Sequence, residues 1–301
     1  MSATSSSAVQ LRRPRFALTV GVFALMLAAT TGSALAQGDA KKGEYLAKAG
    51  GCKACHTENR KDAVPYAGGR ALKTPFGTFY GPNITPDPVA GIGRWSESEF
   101  KRAMRLGERP DGSHYFPAFP YPSFTGIADG DLRDLWAYLR SLAPSKRANQ
   151  EHEVGFPYNV RALVAGWKLQ FFTPGPFVGD PARSTAVNRG AYLVRALGHC
   201  GECHTPRNVL GGPIRDRFLA GTRRLPGGEG GAPNLTPTRL KKMSDGELKY
   251  FLETGLYPDG DATAESMDEV VRNTTSQLTP GDLAALIAYL RSLPPLAEEP
   301  K

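Results

Sequence analysis

Two five-residue clusters hold every cysteine of this 301-residue chain: Cys52-Lys53-Ala54-Cys55-His56 and Cys200-Gly201-Glu202-Cys203-His204. Two thiols three positions apart fall on one side of a helical turn. There both can add to the vinyl groups of one haem, and a histidine directly after the second cysteine lies beneath the iron as an axial ligand. Other uses of paired cysteines compete. Disulfides suit an exported chain, and dithiol redox sites share the Cys-x-x-Cys spacing. Neither requires histidine next to the second cysteine, and here it follows both times. A structural zinc site needs four ligands, and no further Cys or His pair accompanies either cluster. The spacing therefore predicts two covalently bound haem c groups. Cys52, Cys55, Cys200 and Cys203 would attach them, and His56 and His204 would bind the irons. No cysteine remains for a structural disulfide or a catalytic thiolate.

The clusters sit in an internal duplication. Gly43-Glu44-Tyr45-Leu46 is matched by Gly190-Ala191-Tyr192-Leu193, and Pro82-Asn83-Ile84-Thr85-Pro86 by Pro233-Asn234-Leu235-Thr236-Pro237. Pro110-Asp111-Gly112 is matched by Pro258-Asp259-Gly260, and the Tyr-Leu-Arg-Ser-Leu run at Tyr138 by the one at Tyr289. The offset stays between 147 and 151 residues. Each half predicts a helix running through Tyr45 or Tyr192 into its cysteine cluster. A second helix opens at Ser96-Glu97-Ser98-Glu99 or Ser244-Asp245-Gly246-Glu247, both capping boxes, and ends near Gly107 or Gly255. A last helix runs from about Asp131 to Leu142, and from about Asp282 to Leu293. Leu132, Leu135, Trp136 and Leu139 repeat at i, i+3, i+4, i+7 and form one buried face, as do Leu283, Leu286, Ile287 and Leu290. Pro144 and Pro294 stop these helices.

The duplication also exposes a difference. An electron-carrying haem usually has two axial ligands, and methionine opposite histidine raises its potential. Met267 lies seven residues after Gly260, in an expected loop before the final helix, and is the predicted sixth ligand of the second haem. Seven residues after Gly112 the first half has Phe119, which cannot bind iron. Met104 aligns with Leu252 and reads as core. His114, in the same loop as Phe119, is the candidate sixth ligand of the first haem, and His152 is a remote one. His199, beside Cys200, is badly placed for the distal face of its own haem. The first haem is thus either His/His ligated through His114 or five-coordinate with Phe119 over the iron, and either arrangement lowers its potential relative to the second.

Composition sets the wider frame. Arg12, Arg13 and Arg15, the apolar run from Phe16 to Ala29 and the small residues at Ala34-Leu35-Ala36 read as an export signal, with the mature chain expected to start at Gln37; the competing reading is an uncleaved membrane anchor, for which the run is short of the roughly 20 residues a span needs. The formal charge is +8, or +5 without the three arginines of residues 1–36. Four haem propionates would bring it near neutral, and no basic stripe with interleaved aromatics exists, so no nucleic-acid partner is expected. Residues 38–145 and 186–296 are the two expected domains. Between them, residues 146–185 begin as a polar linker but carry Phe156, Trp167, Leu169, Phe171, Phe172 and Phe177, too many aromatics for a disordered tether. A short helix over Val160 to Phe172, packed between the domains, is expected. The fold class is all-α.

These motifs, together with Asn83-Ile84-Thr85-Pro86, Gly91-Ile92-Gly93-Arg94-Trp95-Ser96 and Ala165-Gly166-Trp167, resemble the multihaem cytochrome c subunits of bacterial periplasmic dehydrogenases. Those serve membrane-associated alcohol and sugar dehydrogenases and molybdenum hydroxylases. The resemblance covers nearly all of the mature chain. It implies tandem small α-helical cytochrome c domains that take electrons from a dehydrogenase and pass them to a cytochrome, oxidase or quinone system of the respiratory chain. It also implies a periplasmic location, or association with the outer face of the inner membrane, and no catalytic activity of the chain's own. A dihaem peroxidase or a gas-binding protein with an open first haem is the competing reading. Against it, no His/Arg or Glu pair near the Phe119 loop is arranged for acid–base work.

Overall fold

The computed structural model describes residues 38–225 and 230–298; the expected export signal at 1–36 lies outside them. In the first half α1 (Ala40–Ala49) leads into the single turn α2 (Cys52–His56). A hairpin of β1 (Ala71–Thr74) and β2 (Gly77–Tyr80) follows, then α3 (Glu97–Leu106), α4 (Tyr121–Phe124) and α5 (Asp129–Ser141). The connecting segment contributes β3 (Glu153–Val154) and α6 (Leu163–Phe171). The second half contains α7 (Thr185–Tyr192) and a π-helical turn at Leu193–Leu197. It continues with α8 (Gly201–His204), α9 (Pro237–Leu240), α10 (Asp245–Thr254), α11 (Glu265–Asn273) and α12 (Pro280–Arg291).

The second helix of each half begins where its capping box requires. Ser96 Oγ accepts from Glu99 N at 3.2 Å while Glu99 Oε2 accepts from Ser96 N at 2.7 Å. Ser244 and Glu247 do the same at 3.2 and 2.7 Å. Gly107 and Gly255 end these helices in the left-handed conformation, at φ 60° and 77°. The amphipathic faces of α5 and α12 close two cores. One gathers Leu46, Phe100, Met104, Leu132 and Leu135, the other Val194, Leu248, Phe251, Leu283 and Leu286.

Within each half the first and last long helices cross at a glycine. A Cβ on Gly43 would stand 1.9 Å from Asp134 O, and one on Gly190 would stand 1.9 Å from Ala285 O. Only a missing side chain lets the backbones approach this closely.

The all-α expectation needs correction: the chain is mostly helical but carries a small antiparallel sheet in the order β1-β2-β3. The hairpin pairs Ala71 with Tyr80 and Thr74 with Gly77. Glu153 and Val154 then add a short strand from the connecting segment, opposite Thr78 and Gly77. Helix α6 falls inside the expected 160–172 window. It touches the first half through buried Val164, which packs with Phe79 and Phe116. Lys168 Nζ donates to Leu106 O and Gly107 O at 2.6 and 2.9 Å, capping the carbonyl end of α3. It touches the second half through Trp167 Nε1, which donates to Leu210 O at 3.0 Å, and through Phe171 O, which accepts from Arg215 at 2.9 Å.

The halves also clasp each other. Tyr45 Oη donates to Asp282 Oδ2 at 2.5 Å, and Tyr192 Oη donates to Asp131 Oδ2 at 2.6 Å. Each aspartate is paired with a base of its own half as well. Lys42 meets Asp131 at 2.8 Å and Arg189 meets Asp282 at 2.6 Å, with both carboxylates only 13% exposed. Burial pushes the Asp282 carboxyl up, but the Arg189 and Tyr45 hydrogen bonds outweigh it and hold the group below its ordinary 3.8. A depressed folded-state value means that this stabilisation is complete above the unfolded value and is lost as pH falls through the folded one. The stability gap between wild type and Asp282→Asn, read from urea midpoints, should therefore be widest near neutrality and shrink below pH ~3.9; a gap that does not change with pH would contradict this pairing. In the same assay Gly190→Ala should lose about 3 kcal/mol or more, because backbone has to move to admit the methyl group.

Candidate haem sites

Each attachment turn is set up by a left-handed residue just before its first cysteine: Gly51 at φ 63° and His199 at φ 42°. The chain reverses there at the end of the first helix, and the next turn places both thiols on one side. Burial, and secondarily the Cys55 thiol, push Cys52 up to about 12; burial raises Cys55 to about 11 and Cys200 to about 12. Among the described residues no group of three or more His, Cys, Asp or Glu side chains is arranged to hold a metal ion.

The histidines are presented identically. His56 Nδ1 lies 2.7 Å from Pro82 O, and His204 Nδ1 lies 2.7 Å from Pro233 O. A carbonyl only accepts, so each Nδ1 carries the proton and each Nε2 keeps its lone pair. A backbone acceptor on the far nitrogen fixes the ring and raises its basicity as a ligand. Burial holds both imidazoles below their ordinary value, in the neutral form a metal needs.

The prolines are fixed by the asparagines that follow them. Asn83 and Asn234 are each 2% exposed. Asn83 Oδ1 accepts from Thr85 N at 3.0 Å and Thr85 Oγ1 at 2.7 Å, and Asn234 does the same with Thr236, at 2.7 Å for both. Their amide nitrogens donate to Ser145 O and Leu296 O, each at 2.8 Å. The two threonine hydroxyls accept from Ser145 N at 3.0 Å and Leu296 N at 3.1 Å. Sequence alone allows these asparagines either backbone or propionate partners. Their partners are protein backbone, in the chain just after each last helix. The shared 151-residue spacing of Asn83/Asn234 and Ser145/Leu296 was the available signal.

On the distal side, Met267 lies near the start of α11, not in the expected loop, and packs on the second core together with Cys200. Phe119 packs on the first core together with Cys52. Its ring centroid is 5.3 Å from that of Tyr115 and 5.8 Å from that of Phe124. His114 Nδ1 lies 3.0 Å from Lys168 Nζ on α6, and its carbonyl accepts from Arg161 at 2.9 Å. His152 Nδ1 accepts from Tyr80 N at 3.2 Å, and its ring packs on Phe79. His199 Nδ1 faces Leu197 O at 3.2 Å. Met104 is buried in the first core, as its alignment with Leu252 implies.

The donor set fits covalent haem at both sites: two neutral thiols on one turn, then an imidazole with Nε2 free and Nδ1 anchored. Comparison with known proteins agrees. A family model for cytochrome c matches residues 40–143 and again 187–294, and the chain belongs to that family, with two haem c groups. A diheme cytochrome c-type protein of Cereibacter sphaeroides is 45% identical over 261 residues, covering 85% of this chain and 86% of the relative. One of the nicotinate dehydrogenase subunits of Pseudomonas putida is 44% identical over 254 residues, 84% of this chain and 21% of that protein. The fructose dehydrogenase cytochrome subunit of Gluconobacter japonicus is 38% identical over 262 residues, 85% of this chain and 53% of that relative. The chain thus spans about half the length of the last and a far smaller part of the second. These relatives give no support to the peroxidase or gas-binding reading.

Asn234→Ala removes the acceptor of the Thr236 N–H and of its hydroxyl proton, and the donor to the Leu296 carbonyl. It should destabilise the protein by about 1–3 kcal/mol in urea titration, and a loss below about 0.5 kcal/mol, the level of an ordinary surface change, would contradict its anchoring role.

Proposed function

We propose that this chain is the electron-transferring cytochrome subunit of a periplasmic dehydrogenase, delivering electrons to a cytochrome, oxidase or quinone system. The observation carrying this reading is that two complete attachment sites occur in a chain whose relatives include cytochrome subunits of fructose, gluconate and quinone-linked alcohol dehydrogenases. Residues 1–36 direct export, 38–145 and 186–296 are the cytochrome domains, and 146–185 is the packed connection. Among the described residues no helix is long and apolar enough to cross a membrane, and the protein acts in the periplasm or at the outer face of the inner membrane.

Haem supplies reversible one-electron chemistry at iron; the chain's residues bind it and set its potential. Cys52, Cys55, Cys200 and Cys203 fix the two groups, and His56 and His204 are their proximal ligands. Met267 would serve as the sixth ligand of the second haem. Phe119 stands at the position equivalent to Met267 and cannot bind iron, so the first haem would lack a sulfur ligand and would have the lower potential of the two. Electrons then pass from the first domain to the second.

Two experiments test this. In periplasmic extract containing the tagged chain, an alcohol, fructose, gluconate or nicotinate should reduce its haems. Haems that stay oxidised with all four, yet respond to dithionite, contradict the dehydrogenase partnership. In the purified oxidised protein the sulfur-to-iron charge-transfer band should have the intensity of one haem, vanish in Met267→Leu and double in Phe119→Met. A band of two-haem intensity in wild type contradicts the ligand assignment.

A further inference from the structure

The duplication that relates the halves also brings their attachment turns together. Gly51 and His199 are equivalent residues, 148 positions apart, each left-handed and each directly preceding the first cysteine of its motif. They meet across the seam: a Cβ on Gly51 would stand 3.8 Å from His199 Cε1 and 3.1 Å from Thr274 Oγ1. The neighbouring contacts are reciprocal. A Cβ on Gly50 would stand 3.4 Å from Leu197 Cδ1, and one on Gly198 would stand 3.8 Å from Ala49 O. The local two-fold relation therefore runs between the two turns.

Each half's distal element is also bonded to the other half. Arg70 reaches Glu269 on α11 at 2.8 Å. Ser123 on α4 donates to Glu202, inside the second attachment motif, at 2.6 Å. Farther out lie the Tyr45–Asp282 and Tyr192–Asp131 bonds. A left-handed conformation is uncommon for a residue with a side chain. The second half nevertheless places an imidazole where the first has glycine. That ring fills the seam, with its centroid 5.2 Å from Phe124 in an edge-on contact.

We propose that this seam is the internal electron route, and that His199 is the positioning residue that closes it. The path Cys52–Gly51···His199–Cys200 runs between the two attachment sites across the space where a Cβ on Gly51 would come within 3.8 Å of His199 Cε1. One electron leaves the iron held by His56 as the iron held by His204 gains it, and no proton moves and no bond breaks. The tyrosine–aspartate exchanges set the spacing of the turns, and His199 fills the gap between them. The proposal rests on the two haems, not on the identity of the dehydrogenase, so its test uses the purified chain without any partner.

His199→Gly copies the first half and relieves a left-handed side chain, so it should fold. Inter-haem electron transfer after flash reduction should slow several-fold, while both haem spectra and the inter-haem distance from pulsed electron paramagnetic resonance stay as in wild type. In the Asp131→Asn/Asp282→Asn double variant the same distance should lengthen or broaden, with thermal unfolding splitting into two transitions. An unchanged rate in His199→Gly overturns the role of His199. An unchanged distance and single unfolding transition in the double variant overturn the role of the clasp.

Discussion

Two largely buried carboxylates, Asp131 and Asp282, each receive a base from their own half and a phenol from the other. A charge taken out of water has to be paired and hydrogen-bonded, and one stripped of a partner is strongly destabilising. Neither half can therefore satisfy its last helix alone. The same helices cross their partners at Gly43 and Gly190, where backbone meets backbone. Those crossings carry α1 and α7 to the attachment turns.

The attachment sites were largely legible in the sequence, because their chemistry is local. Cys-x-x-Cys-His, the capping boxes at Ser96 and Ser244 and the apolar faces of α5 and α12 are patterns within a few turns of chain. The repeat then supplied the domain arrangement. What was not legible depends on distant partners. The β1–β2–β3 sheet has strands too short for periodicity to register, and its edge is completed by Glu153 and Val154, more than seventy residues on. The helix around Met267 read as loop because its start carries no capping side chain. The Tyr45 and Tyr192 bonds join residues 237 and 61 apart, and nothing near either tyrosine announces an aspartate in the opposite half.

The copies are anchored alike and capped differently. Pro82 and Pro233 hold His56 and His204 with the same 2.7 Å contact, so the proximal sides are equivalent. On the distal sides the copies differ: Met267 packs on the second core with Cys200, and Phe119 packs on the first with Cys52. The connecting helix touches both halves, and its Lys168 lies 3.0 Å from His114 Nδ1.

The central claim is that a single sulfur ligand serves the two haems. Proton resonance of the fully reduced protein tests it most directly, because the methyl group of an iron-bound methionine is shifted far upfield by the haem ring current. One such methyl signal per chain is expected, belonging to Met267. Two signals, or none, would contradict it.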